Sequence, residues 1–230
     1  MLEISRQIFS LFHNLPDVLT HLQEYYKSIC GLTFVEFKKD FRENTFLVQS
    51  FYSESASILK KCPKIFTPAI NLASIFDYAM LGILLPEKST IHQCALFISE
   101  FLSHGRNNDY FHQVIIERFD SLVKQIFVVI GGSQSSPSFA VDYMADIIIT
   151  FNQKYPDNFS RSLSPVVEMN NFPTNYVNRE QKRSFVKTIF SLRNNKRKLK
   201  DSIKEFSICC RGLYGVDNRQ EPIESPINSF

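Results

Sequence analysis

The stretch NREQKRSFVKTIFSLRNNKRKLKDSIKEFSICCRGLYG, residues 178–215, reads as two helices joined by a tight turn. Asn178 with Gln181 three residues on is a capping-box pattern, in which each side chain satisfies the other residue's orphan amide. Phe185, Ile189 and Leu192 then form an apolar stripe at helical spacing. The residues 194–196 make the connection. On the second helix, at 100° per residue, Leu199, Ile203, Phe206, Cys210 and Leu213 fall within about 40° of one line. That line is a core seam. Arg197, Lys200, Lys204 and Arg211 fall together roughly 100° to 160° around from it. Coiling therefore turns a basic run into a ridge of four cations, the candidate partner-binding site of the chain. Such a ridge suits an acidic partner or phosphates. It equally describes an ordinary solvated helix face, since cations are also favourable near a helix C-terminus.

Working outward, the same grammar recurs. Leu47, Phe51, Ile58 and Cys62 mark one face of a helix that Pro63 ends. Ser89 and Gly105 suit the start and end of the next, with Ile91, Cys94, Ala95, Ile98 and Leu102 as its stripe. Asp109 suits the cap of a helix stopped by Gly131 and Gly132. Ser138 suits the cap of one stopped by Pro156. The short β-branched runs IIIT and FVVI lie inside longer helical patterns, so length favours helix over strand. First helices of successive pairs start near Leu2, Asn44, Ser89, Ser138 and Asn178, at intervals of 42, 45, 49 and 40 residues. A two-helix unit of roughly 40–47 residues is the period of HEAT and armadillo repeats. The expected fold is all-α: a HEAT-type alpha-alpha superhelix, or solenoid, of about five antiparallel helix pairs over residues 1–215. Each pair buries its apolar faces by stacking on its neighbours. The tail from 216 to 230 is polar with two prolines and is expected to be disordered. In the first helix Ile8, Phe9, Leu11 and Phe12 spread around much of the circumference, and one face suits an upstream neighbour.

Composition agrees with this class. Of 230 residues, 44% are apolar and 21% charged, enough to bury a core. Glycine is sparse, at 7 residues, as long helices require. A net charge of +3 is too small for a typical nucleic-acid domain, so any basic surface must be local. Five scattered cysteines without C-x-x-C spacing do not form a disulfide framework and fit a reducing compartment. The apolar run from Tyr78 to Leu85 is far shorter than the roughly 20 residues of a spanning helix, so membrane insertion is not expected.

Chemistry-bearing motifs are missing. The sequence holds no Gly-rich phosphate loop, no G-x-S-x-G elbow and no H-E-x-x-H. No catalytic residue, cofactor or metal is expected. His13, His21, His92, His104 and His112 lack ligand spacing with cysteines, although His104 and His112 flank one loop. Asp142 and Asp146 lie four apart on one helix, a spacing that holds a cation less often than it marks a solvated face. Cys62 and Cys94 lie on apolar stripes and read as small core residues.

The segment 178–217, most specifically NKRKLKDSIKEF with CCRGLYG, resembles the C-terminal end of the importin-beta superfamily, in its transportin-3 and importin-13 branch. QIFVVIGGSQSSPSFAVDYMADIIITFNQKYP and LVQSFYSESASILKKCPKIF are similar to the same branch. The resemblance covers most of residues 40–217. It implies a HEAT solenoid that binds protein cargo and shuttles between cytoplasm and nucleus. The implied partners are that cargo, GTP-bound Ran through the full-length family member, and nucleoporins, without direct nucleic-acid contact. The family's principal Ran-binding surface lies in N-terminal repeats with no counterpart here. Its contacts are spread over surfaces, so the resemblance assigns no single residue. The alternative is a HEAT scaffold that holds other proteins without Ran dependence, because fold does not fix function.

Overall fold

The computed structural model describes residues 2–12, 14–132 and 136–213, which form ten α-helices and no strand among the described residues. The helices are α1 (Leu2–Phe12), α2 (Pro16–Lys39), α3 (Thr45–Lys61), α4 (Leu72–Gly82) and α5 (Lys88–His104). They continue as α6 (Asp109–Gly131), α7 (Ala140–Lys154), α8 (Pro156–Glu168), α9 (Arg179–Ser191) and α10 (Lys196–Cys210). First helices begin at 2, 45, 88, 140 and 179, each within two residues of the expected start. The expected polar tail, 216–230, lies outside the described residues.

The helices form two layers. One contains α1, α3, α5 and α7, side by side and parallel. Tyr52 on α3 meets Phe97 on α5 with ring centroids 5.3 Å apart. His92 on α5 meets Tyr143 on α7 at 4.9 Å. The other layer stacks α4, α6 and α8. Its links cross one repeat: Arg118 bonds Asp77, 41 residues away, at 2.6 Å, and the Ser162 hydroxyl donates to Asp120, 42 residues away. These separations reproduce the repeat period in three dimensions. Between the layers runs a continuous core rich in phenylalanine, including Phe51, Phe76, Phe97, Phe101, Phe111, Phe127, Phe151 and Phe159, all below 2% exposed. Three hydroxyls inside it form hydrogen bonds: the Tyr26 hydroxyl donates to Ser55, which donates to the Phe51 carbonyl, and the Tyr52 hydroxyl donates to the Ile75 carbonyl.

The last pair breaks the pattern. Its second helix, α10, lies against α7, while α9 lies against α8. Lys204 meets Asp142 and Lys200 meets Asp146, so α10 runs antiparallel to α7. Phe190 of α9 packs on Phe159 of α8, and Arg183 of α9 reaches back to Glu168. A fifth pair stacked like the first four would have put α9 beside α7. The segment 169–178 instead keeps the chain in the second layer before it turns. Lys182 holds that segment, donating to the carbonyls of Met169 and Phe172 from a side chain packed almost entirely out of solvent.

Several helix ends differ from expectation. The α3 stop at Pro63 holds, since Pro63 opens a short 3-10 turn, Pro63–Ile65. The capping box at Asn178 and Gln181 is fully formed, with both bonds at 2.9 Å. Asn108, not Asp109, caps α6, accepting from the amides of Tyr110 and Phe111. Ser89 lies inside α5, which starts at Lys88, and Ser138 precedes α7 without a side-chain cap bond. Gly105 does not end α5 in a left-handed conformation. It keeps helical angles and leads into a 3-10 turn, Gly105–Asn107. It is glycine because the Tyr155 hydroxyl and the Ile115 side chain occupy the space of a Cβ. Gly132 is the left-handed stop expected for α6, with φ of 73°.

Candidate partner-binding surfaces

The structure divides the four-cation ridge of α10. Lys200 and Lys204 face α7, each with its ammonium 2.7 Å from a carboxylate, Asp146 and Asp142 respectively. Two cations four residues apart therefore meet two carboxylates four residues apart on the neighbouring helix. That ladder gives the Asp142 and Asp146 spacing a structural role on a half-exposed face. The bond to Asp142 raises the Lys204 pKa above its ordinary value. All four side chains stay partly exposed, so each pair adds at most about 1 kcal/mol.

Arg211 leaves the ridge altogether. The α10 helix ends at Cys210 in a Schellman motif, with the Leu213 amide bonded to the Ile208 carbonyl and the Gly212 amide to the Cys209 carbonyl. Gly212 takes φ of 68° there. The Arg211 guanidinium turns inward and donates to the Val129 carbonyl (3.2 Å), the Ser136 carbonyl (3.0 Å) and the Ser207 hydroxyl (3.1 Å). Ser207 in turn donates to the Ile130 carbonyl at 2.6 Å. Together they satisfy the C-terminal carbonyls of α6, where a cation also suits the helix dipole. Burial lowers the Arg211 pKa from its ordinary value. Leu213, expected on the core seam, lies past the helix end and is 55% exposed. Arg197 is exposed on the outer corner of the last pair and is in no ion pair among the described residues.

A groove of about 390 Å³ opens between α3 and α5, lined by Ser53, Ala56, Ser57, Lys60, Gln93, Leu96 and Glu100. It offers small side chains, amide and hydroxyl groups, and one charge of each sign at its end. That inventory suits docking of a polar segment and contains no nucleophile paired with a base. At the far end of the stack, α1 buries Phe9 and half-buries Ile8, while Ile4, Leu11 and Phe12 face outward.

His112 stacks on Tyr155, not on His104, and the described residues contain no group of three or more metal-capable side chains. None of the five cysteines is in a disulfide. Burial pushes the Cys30 and Cys210 thiols up to about 12, which keeps them protonated and unreactive near neutral pH. No described helix is long and apolar enough to cross a membrane. The helical phase of Lys182 with Phe185 and Ile189 places it on the core stripe, where it anchors the preceding segment through the Met169 and Phe172 carbonyls.

Residues 83–159 match the family model described as the importin 13 repeat. The chain is 28% identical to importin-13 of Homo sapiens over 217 residues, which is 94% of this chain and 22% of that protein. It is 29% identical to importin-13 homolog A of Dictyostelium discoideum over 91 residues, 40% of this chain and 8% of that one. The solved structure titled "Importin13 cytosolic state" superimposes with a TM-score of 0.85 at 23% identity, over 92% of this chain and 24% of that one. The fold is thus that of the importin-13 HEAT solenoid, and the chain spans about a fifth of the length of the curated relatives it matches. The repeat period, the two helix layers and the sequence similarity agree along nearly the whole chain, which resembles importin-13, a member of the importin-beta superfamily, over 94% of its length.

Proposed function

We propose that this chain is part of a nuclear transport receptor, binding protein cargo and contributing to Ran-GTP-regulated traffic between cytoplasm and nucleus. The observation that carries the reading is its similarity to importin-13 over 94% of its length. The mode of action is non-catalytic: cargo is held by helix faces and inter-helix grooves such as that between α3 and α5. A stack of pairs touching only their neighbours flexes by small changes at each interface. Binding one partner can then bias the grip on another through differential affinity for the two shapes. On this reading residues 1–215 are one solenoid, 216–230 a polar tail, and the protein shuttles between the two compartments. Nucleoporins are further partners. Of the α10 ridge, Arg197 is the member positioned to meet a partner.

The test is a pull-down from cell extract with the chain as bait, alone and within a full-length importin-13, in the presence of Ran loaded with GTP or GDP. Nucleotide-dependent recovery of cargo supports the receptor reading. Recovery of the same proteins regardless of Ran's nucleotide, in both baits, refutes it and favours a Ran-independent scaffold.

A further inference from the structure

The segment 182–200 contains eight lysines and arginines and no aspartate or glutamate. The fold divides these eight sharply. Lys182 is buried and donates to the Met169 and Phe172 carbonyls, Arg183 pairs with Glu168, and Lys200 pairs with Asp146. The other five, Lys187, Arg193, Lys196, Arg197 and Lys198, are exposed. None of the five is in an ion pair among the described residues. All five lie within about 6 Å along the helix axes of the α9–α10 connection, roughly one turn. The register of α7 against α10 brings Thr150, Gln153 and Lys154 to the same corner, and none of these is a carboxylate.

Placement makes the cluster costly to the isolated fold. Lys196, Arg197 and Lys198 occupy the first turn of α10, which carries no acidic residue. The positive end of the helix dipole disfavours cations there. Asn195 caps the Lys198 amide, and the first amides of a helix lack partners within the helix itself. An anion at this corner would relieve both the mutual repulsion and the dipole conflict.

We propose that the α9–α10 corner, centred on Arg193, Lys196, Arg197 and Lys198, is a docking surface for an acidic polypeptide segment. The choice of a polypeptide rests on the receptor reading above and on the shape of the patch. A nucleic-acid strand calls for cations spaced along a track and rings for base stacking. Here the cations end within one turn, Asp201 and Glu205 follow along α10, and the aromatic residue of 187–198, Phe190, is packed on Phe159.

The test uses the purified chain and a fluorescein-labelled octaglutamate peptide, with anisotropy read at 50 mM and 200 mM NaCl. An eight-nucleotide single-stranded RNA forms the second arm. The variant is Arg197→Glu with Lys198→Glu, and the control is Lys38→Glu with Lys39→Glu at the end of α2. Far-UV circular dichroism verifies that each is folded. The expected result is peptide binding that weakens with salt, falls roughly tenfold or more in the α10 variant and stays within about twofold in the control. Failure of the peptide to bind at 50 mM, an equal loss in both variants, or tighter binding of the RNA overturns the proposal. No Ran enters this assay, so its outcome is independent of the pull-down that tests the receptor reading.

Discussion

Replacing Arg211 by alanine is the sharpest probe of how the last helix pair is attached. The guanidinium donates to two carbonyls and one hydroxyl, all 3.0 to 3.2 Å away. The Val129 carbonyl retains the Gly132 amide as a partner after truncation. Hydrogen bonds from a charged donor contribute about 1.5–3 kcal/mol each, and these share one partly exposed group. Discounting for that exposure, Arg211→Ala should cost about 2–4 kcal/mol. A chain of this size loses roughly 2–4 °C of melting temperature per kcal/mol, so the expected fall is about 4–16 °C. Lys204→Ala removes a partly exposed ion pair instead and should cost at most about 1 kcal/mol. Because a solenoid's stability is a sum over neighbouring units, the loss should be local. Hydrogen exchange by mass spectrometry should show faster exchange over 179–213 in Arg211→Ala, with α3 and α5 little changed. Equal effects of the two substitutions, or wild-type protection of α9 and α10 in Arg211→Ala, would refute the clamp.

Two further outcomes are expected. Gly105→Ala places a methyl group against the Tyr155 hydroxyl and Ile115, and should destabilise by about 1–3 kcal/mol in urea unfolding. Adding Tyr155→Phe, which removes a hydroxyl with no hydrogen-bond partner among the described residues, should recover part of the loss, and an unrecovered double variant would place the strain elsewhere. The raised thiols set an alkaline limit. In Cys30 and Cys210 the folded pKa is about 12 against an ordinary 9, so the folded state holds protons that the unfolded state releases. Their contribution is complete below pH about 9 and is lost as pH rises towards 12. Cys210→Ala should flatten the fall in stability across that window, read by urea titrations at pH 8 and 10, and an unchanged slope would count against the burial argument.

The division between what was legible and what was not follows range. The first helices of the pairs, with starts to within two residues, the Asn178–Gln181 box and the Gly132 stop depend on residues one to four positions apart. A linear pattern reports such bonds directly, as it reports the 40-odd-residue period that makes a stack of pairs the economical way to bury apolar stripes. The helix caps that failed, at Ser89, Asp109 and Ser138, failed where a neighbouring residue or backbone turn served equally well. Gly105 looked like a terminator and is a close-packing site, because its partners Ile115 and Tyr155 come from α6 and the C-terminal boundary of α7. The ridge shows the same limit at the candidate site. Phasing placed Arg197, Lys200, Lys204 and Arg211 on one side of α10, and nothing local distinguishes them. Their different roles depend on which helix lies across from each. That is decided by the reversal of the last pair, which turns α10 antiparallel to α7 and sets Lys200 and Lys204 on Asp146 and Asp142. The sequence by itself determined an all-helical repeat stack and its period, because both are written in short-range spacing. The tertiary structure alone decided that the final pair is inverted, that Arg211 is a clamp, and that the exposed cations gather at the α9–α10 corner. Those outcomes depend on contacts between residues far apart in the chain, whose register no local pattern contains.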